Sequence, residues 1–162
     1  MKNHLRQLST LISGTVCSTI LFTALVFTSS ASFASPEQEK IFLDTYKKAF
    51  EGKDEATLNG LLYTKDADPE VLEFYKLMIT GEMGSKIDSI ELRPLTPDEV
   101  KEASSTMPSM SGEDLKLPVT PSKKLVIKIK TSDSNGNSSS SSESFVAEVD
   151  GKFLIPVPAK VK

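Results

Sequence analysis

The hydrophobic period of the chain changes near Lys86, and this change limits the possible folds more than any other feature. Before it, apolar residues recur at helical spacing, as Phe42, Tyr46 and Phe50 do. After it, apolar and polar residues alternate, as in residues 89–92. A chain with helices first and an antiparallel meander afterwards predicts an α+β domain, whose helices pack on one face of an antiparallel sheet of about four strands.

Three helices are predicted before the change of period, and local capping chemistry marks where they begin. Ser35 before Pro36 and Asp68 before Pro69 each place a capping side chain ahead of a proline at the first helical position. Asp54 is expected to cap the short second helix. The predicted helices span residues 36–51, 54–63 and 68–81, the last extending to Gly84 if Gly81 does not end it.

Alternating residues in the second half predict strands at 86–93, 125–130, 145–149 and 153–157. Thr96 begins one or two helical turns that end near Ala103. Pro156 and Pro158 lack a backbone donor, so the last strand is expected to lie at an edge of the sheet or to fray. Two polar stretches, 104–122 and 132–142, are expected to be flexible loops, and the first is a candidate docking loop.

Residues 1–34 have the pattern of a cleavable secretory signal peptide. Lys2, His4 and Arg6 precede an uncharged apolar core, and the small residues Ser32 and Ala34 suit cleavage after position 34. The most apolar part is too short to cross the roughly 30 Å of bilayer hydrocarbon as a helix. We therefore expect an exported protein, periplasmic or secreted, with residues 35–162 as one α+β domain.

Cleavage would also remove the only thiol and the only imidazole of the chain, because its single cysteine, Cys17, and its single histidine, His4, both lie in residues 1–34. Without them, disulfides, cysteine zinc sites and Ser-His-Asp triads are excluded. The remaining 17 basic and 22 acidic residues give a net charge of −5, which disfavours nucleic acid and anionic membrane surfaces as partners.

Four segments resemble the nuclear-transport-factor-two-like superfamily. They are residues 46–54 (YKKAFEGKD) at the end of the first helix, the short second helix from Leu58 to Tyr63, Asp68-Pro69-Glu70 at the start of the third helix, and residues 148–153 (EVDGKF) around the last turn. The chain is most similar to short exported bacterial members of unknown function. The resemblance implies a cone of helices wrapped by a curved sheet, and Phe153 stands where members typically place Trp.

The predicted function is a non-enzymatic binding module of the bacterial envelope that binds a small apolar ligand or an envelope protein. Its candidate ligand-binding residues are Phe42, Tyr46, Phe50 and Tyr75. The alternative is an isomerase-like or dehydratase-like enzyme, which would need a pocket carboxylate beside a tyrosine hydroxyl. No strand places an acid clearly in such a position, so no catalytic residue is predicted.

Two weaker patterns suggest metals, but neither predicts a metal site or a cofactor. Asp66, Asp68 and Glu70 alternate in a loop, yet helix capping and the helix dipole explain them better than calcium does. Met107 and Met110 have the Met-x-x-Met spacing that soft Cu(I) accepts, but two thioethers do not complete a site.

Overall fold

The computed structural model describes residues 35–109, 112–133 and 136–161. The predicted signal peptide, residues 1–34, lies outside the described residues, as does Met110. Within the described ranges, none of the helices has the length and apolar character needed to cross a membrane.

Helix ends follow the local chemistry of the sequence. Ser35 caps the first helix and Asp68 the third, where its carboxylate accepts from two backbone N–H groups at 3.0 and 3.1 Å. Thr96 and Glu99 form a complete capping box at the start of the fourth. The helices are α1 (Pro36–Gly52), α2 (Glu55–Asn59), α3 (Pro69–Thr80) and α4 (Pro97–Ser104).

The strands form two sheets beside the helices. They are β1 (Leu62–Tyr63), β2 (Ile87–Pro94), β3 (Met107–Pro108), β4 (Asp114–Lys116), β5 (Lys123–Asp133), β6 (Gly136–Val149), β7 (Lys152–Pro156) and β8 (Ala159–Lys160). The larger sheet is curved and open, in the order β1-β7-β6-β5-β2, and the smaller has the order β3-β4-β8. The α+β prediction is confirmed, and the arrangement is consistent with a nuclear-transport-factor-two-like cone. The larger sheet is mixed, because β1 pairs with β7 in parallel.

Both stretches predicted as loops contain strands. Residues 136–142 belong to β6, which pairs with β5 from Asp133↔Gly136 to Lys123↔Val146. Within 104–122, β3 pairs with β4, and β4 pairs with β8. The prediction of irregular structure is wrong at these residues, because pairing with neighbouring strands holds segments that have no hydrophobic period of their own.

Strand β7 lies inside the sheet, although Pro156 predicted an edge. Residues 152–154 pair with β6, and β1 covers the other side of β7. On that side the N–H groups of Ile155 and Val157 donate to backbone carbonyls at 2.8 and 3.1 Å. Because backbone direction alternates along a strand, the position of the missing N–H of Pro156 faces the β6 side, beyond Leu154, where the pairing of β7 with β6 ends. The proline therefore interrupts no pairing, and the edge prediction is wrong.

The core lies between α1 and the larger sheet. Leu58, Leu125, Ile155 and Val146 are at most 1% exposed. Burial of a large apolar side chain contributes about 1.5–3 kcal/mol, so these four residues of α2, β5, β6 and β7 stabilise the packing of the helices on the larger sheet. The core also contains Phe42, Tyr46, Phe50, Ile127, Ile129, Phe153 and Val157.

Candidate functional site

Three of the four predicted ligand-binding residues lie in the core. Phe42, Tyr46 and Phe50 are each 3% exposed. The rings of Tyr46 and Phe50 are stacked, with their centroids 6.1 Å apart, and the rings of Phe42 and Phe153 pack edge to face, with their centroids 6.2 Å apart. Because these rings already fill the space between α1 and the sheet, they leave little surface for a ligand. Their role in binding remains a prediction.

The tyrosines show no sign of an acid–base pair. Burial raises the pKa of Tyr46 to about 12, and burial also raises the pKa of Tyr75. In the described parts of the chain, no carboxylate hydrogen-bonds to either hydroxyl. The tyrosine–carboxylate pair that the isomerase-like or dehydratase-like alternative requires is therefore not formed at Tyr46 or Tyr75 within the described residues.

Tyr75 borders an apolar groove between α3 and the smaller sheet, and we call this the α3 groove. Its cavity volume is about 310 Å³. One wall is α3, and the other comes from β3, β4 and the residues that precede β8. Its apolar lining consists of Val71, Phe74, Tyr75, Met107, Pro108, Leu115 and Pro158, and its polar lining of Asp68, Glu70 and Ser109.

The α3 groove continues onto an exposed apolar surface of α3. Phe74, Leu77 and Met78 are 59%, 70% and 41% exposed, and we call these three residues the α3 apolar face. Met107, on the opposite wall of the groove, is 36% exposed. A soluble domain seldom leaves this much contiguous apolar surface on one helix unless something binds there.

Backbone hydrogen bonds fix the two walls of the α3 groove relative to each other. The N–H of Asp68, which caps α3, donates to the carbonyl of Pro158 at 3.1 Å, and Ala67 bridges to Ala159. Leu115 in turn pairs with both Met107 and Lys160. The segment predicted as a docking loop is therefore one wall of the groove, held in place by strand pairing.

Acidic side chains dominate the rim of the α3 groove. Asp68, Glu70 and Glu113 surround an adjoining cleft of about 470 Å³, where Lys160 is the basic lining residue. Lys160 lies against Glu113 and is 3.5 Å from Asp68, and the hydrogen bond to Glu113 is the main cause of its raised pKa. Among the described residues, no group of three metal-binding side chains is arranged to hold an ion. The rim is therefore acidic, and its buried aspartate, Asp68, is paired with Lys160.

A second depression lies between α1, α2 and β7, and the predicted site residue Phe42 is part of its lining. It has a volume of about 350 Å³, and Phe42 and Phe153 form part of its floor. Gln38, Thr45, Thr57 and Lys152 contribute to its wall. Ile41, at 50% exposure, is the large apolar side chain that it offers to solvent. It therefore presents less exposed apolar surface than the α3 groove.

The strongest ion-pair cluster in the domain is structural. Glu99 of α4 accepts two hydrogen bonds from Arg93 at 2.6 and 2.7 Å and one from Lys124 at 2.8 Å. These contacts, first of all the one from Arg93, hold the pKa of Glu99 well below its ordinary value. Glu143 adds a second carboxylate 3.0 Å from Lys124. Because every charge has a partner, the cluster fastens α4 to β2, β5 and β6.

Sequence reasoning included Tyr75 but missed the rest of the α3 groove. Helical spacing predicts that Phe74 and Met78 lie with Val71 and Tyr75 on the buried side of the third helix, whereas both are exposed in the structure. The signal that could have identified them is the breadth of the apolar surface. Helix α3 has apolar residues on most of its circumference, more than one sheet face can cover. These residues are Val71, Leu72, Phe74, Tyr75, Leu77, Met78 and Ile79.

No family model and no curated protein matches this chain. Among solved structures, a substituted variant of the chain named Rd1NTF2_05 is 10% identical, with a TM-score of 0.36, over 75% of this chain and 95% of its own. Aln2 from a Streptomyces species is 11% identical, with a TM-score of 0.36, over 79% of this chain and 92% of its own. TM-scores of 0.36 are too low to assign a fold or a function to this chain from these two structures. The order of helices and strands is what makes this chain consistent with the nuclear-transport-factor-two-like superfamily.

Proposed function

We propose that this domain is a non-enzymatic binding module that acts outside the cytoplasm, and that its α3 groove binds an apolar segment of a partner protein. The observation that carries the proposal is the continuity of the α3 groove with the α3 apolar face. Export is supported by the pattern of residues 1–34.

The size of the apolar surface favours a protein segment over a small molecule. The groove alone, at about 310 Å³, has the volume of a small ligand site. Leu77 and Met78 extend the surface beyond the residues that line the groove, and Leu77 is the most exposed of them at 70%. An amphipathic segment that places one anchor in the groove and rests others on α3 would cover both.

The charges around the groove specify the chemistry of that segment. Glu70 lines it, and Glu113 borders the adjoining cleft. Residues 35–162 carry a net charge of −5. A segment with apolar anchors flanked by Lys or Arg would therefore meet a complementary rim, whereas acidic flanks would be repelled.

The test uses two amphipathic peptides with the same leucine positions, one with lysine and one with glutamate on the polar face. Binding to the protein is measured by fluorescence anisotropy. We expect the lysine peptide to bind more tightly, and Phe74→Ser to weaken its binding by about tenfold or more, the effect typical of losing a buried aromatic anchor.

Two exposed apolar residues elsewhere provide controls. Val100→Ser removes an apolar side chain of 49% exposure from α4 and should leave peptide affinity unchanged. Ile41→Ser tests the depression beside Phe42. Loss of binding in Ile41→Ser with full binding in Phe74→Ser would contradict the proposed site and favour the site near Phe42. Saturable binding of an apolar dye, with no binding of either peptide, would contradict the proposal that the partner is a protein and would favour a small apolar ligand.

A further inference from the structure

The outer edge of β6 is open over most of its length. β6 has 14 residues, and β5 pairs with it along one side from residue 136 to residue 146. On the other side, β7 pairs only with Ala147, Glu148 and Val149. Among the described strands, none covers this side of residues 138–145, which we call the open edge.

The turn between β6 and β7 shows which backbone groups point outward from the open edge. Asp150 and Gly151 have φ values of 50° and 73°, as in the two-residue turn that closes on a hydrogen-bonded pair, here Val149↔Lys152. Val149 therefore directs its N–H and C=O towards β7, and so does every second residue before it. Within the open edge these residues are 139, 141, 143 and 145, whose backbone groups point to the uncovered side.

The opposite edge of the same sheet is protected, which makes the open edge unusual. β2 has charged side chains at Asp88, Glu91 and Arg93, ends at Pro94, and contains a register shift near its start. Charges, proline and bulges are the devices by which proteins keep edge strands from pairing. β2 uses all of them.

The open edge has neither a proline nor a register shift. Positions 138–142 are all serine, and the run contains no proline. Its one charged residue, Glu143, lies 3.0 Å from Lys124 and 3.7 Å from Arg93, so its charge is balanced within its own sheet. No unbalanced charge therefore keeps another strand away.

From this edge we infer that two copies of the chain pair through β6, antiparallel, about a twofold axis at Ser141. In that register Ser141 faces its own equivalent, and Glu143 faces Ser139 of the second copy, so no like charges meet. The outward N–H and C=O groups of one copy's open edge then form hydrogen bonds with those of the second copy's open edge. One such contact uses both edges and closes the assembly as a dimer.

The side chains favour a second copy over a foreign peptide. Domains that add a peptide strand select it through pockets for alternate side chains. The side chains at 138–142 are all serine, which is too short to line a deep pocket by itself. A self-complementary edge needs none, because the two copies bring the same short side chains into register. The inference does not depend on the α3 groove, which lies against the smaller sheet.

The test is sedimentation velocity of the full chain from low micromolar to millimolar concentration. We expect a reversible monomer–dimer equilibrium. Ser141→Pro removes an outward N–H without removing a donor to β5, and should raise the dimer dissociation constant by about tenfold or more. Ser141→Thr keeps the N–H, favours the strand conformation, and should dimerise like the wild type.

Ser141→Lys is the second variant, because it places like charges across the twofold axis without removing any backbone donor. It too should weaken the dimer. Hydrogen exchange adds a local measurement, since the N–H groups of residues 139, 141 and 143 should be protected more strongly as concentration rises. A wild type that stays monomeric throughout would overturn the inference. So would a dimer that Ser141→Pro and Ser141→Lys leave intact, because another surface would then hold it.

Discussion

Replacing Phe42 or Phe74 by alanine tests which of the two rings belongs to the core of this domain and which to its proposed binding surface. Phe42 is 3% exposed and packs against Phe153, whereas Phe74 is 59% exposed on α3. Replacing a buried phenylalanine by alanine removes its transfer free energy and leaves a cavity, a loss of about 3–5 kcal/mol. We therefore expect Phe42→Ala to lower the free energy of unfolding by this amount, and Phe74→Ala to change it by no more than about 0.5 kcal/mol.

The measurement is urea unfolding followed by far-ultraviolet circular dichroism. For a domain of this length, the loss in Phe42→Ala corresponds to a decrease in Tm of about 10–15 °C. The slope of the free energy of unfolding against urea concentration should be the same in all variants, because the surface area exposed on unfolding barely changes. Ile41→Ala, next to Phe42 on α1 but 50% exposed, is the matched control and should behave like Phe74→Ala.

Two results would refute this reasoning. A loss below about 1 kcal/mol in Phe42→Ala would mean that the ring is not part of the packed core, and the site predicted from the sequence would regain support. A loss of several kcal/mol in Phe74→Ala would mean that α3 buries this ring, and the proposed binding surface would be lost.

Two further predictions concern Glu99 and the amino terminus. Because the pKa of Glu99 is lowered in the folded state, its stabilisation is complete above the ordinary value of 4.5 and is lost as the pH falls below it. Glu99→Gln should therefore be less stable than the wild type near about pH 7, and the difference should shrink on acidification; an unchanged difference at about pH 2 would contradict the assigned contacts. The mature protein from its native host should begin at Ser35 by amino-terminal sequencing, and a start at Met1 would contradict export.

The elements that could be predicted are those whose signals are local. Ser35, Asp68 and Thr96 each precede a proline, and all three act as helix caps in the structure. The Asp150-Gly151 turn and the alternation around it likewise located β7. In each case the residues that determine the element lie within a few positions of one another.

The elements that could not be predicted depend on distant partners. Ser138–Ser142 contains no apolar residue, and it forms a strand because Ile127 and Ile129 of β5 are buried beside it. β1 and β8 have two residues each, too few to show any period. The α3 groove was missed for the same reason, since no local pattern tells which side of a broadly apolar helix the sheet will cover.

The parallel pairing of β1 with β7 has a consequence for the order in which the domain can fold. Leu62 and Ile155 are neighbours in space but stand near opposite ends of the domain in sequence. The carbonyl of Pro158 likewise receives the N–H of Asp68. These contacts of β1 and of the start of α3 therefore form only when nearly the whole polypeptide has been synthesised, and contacts so distant in sequence form slowly. Such a chain remains unfolded until late in its synthesis, and this state is compatible with the export that we propose.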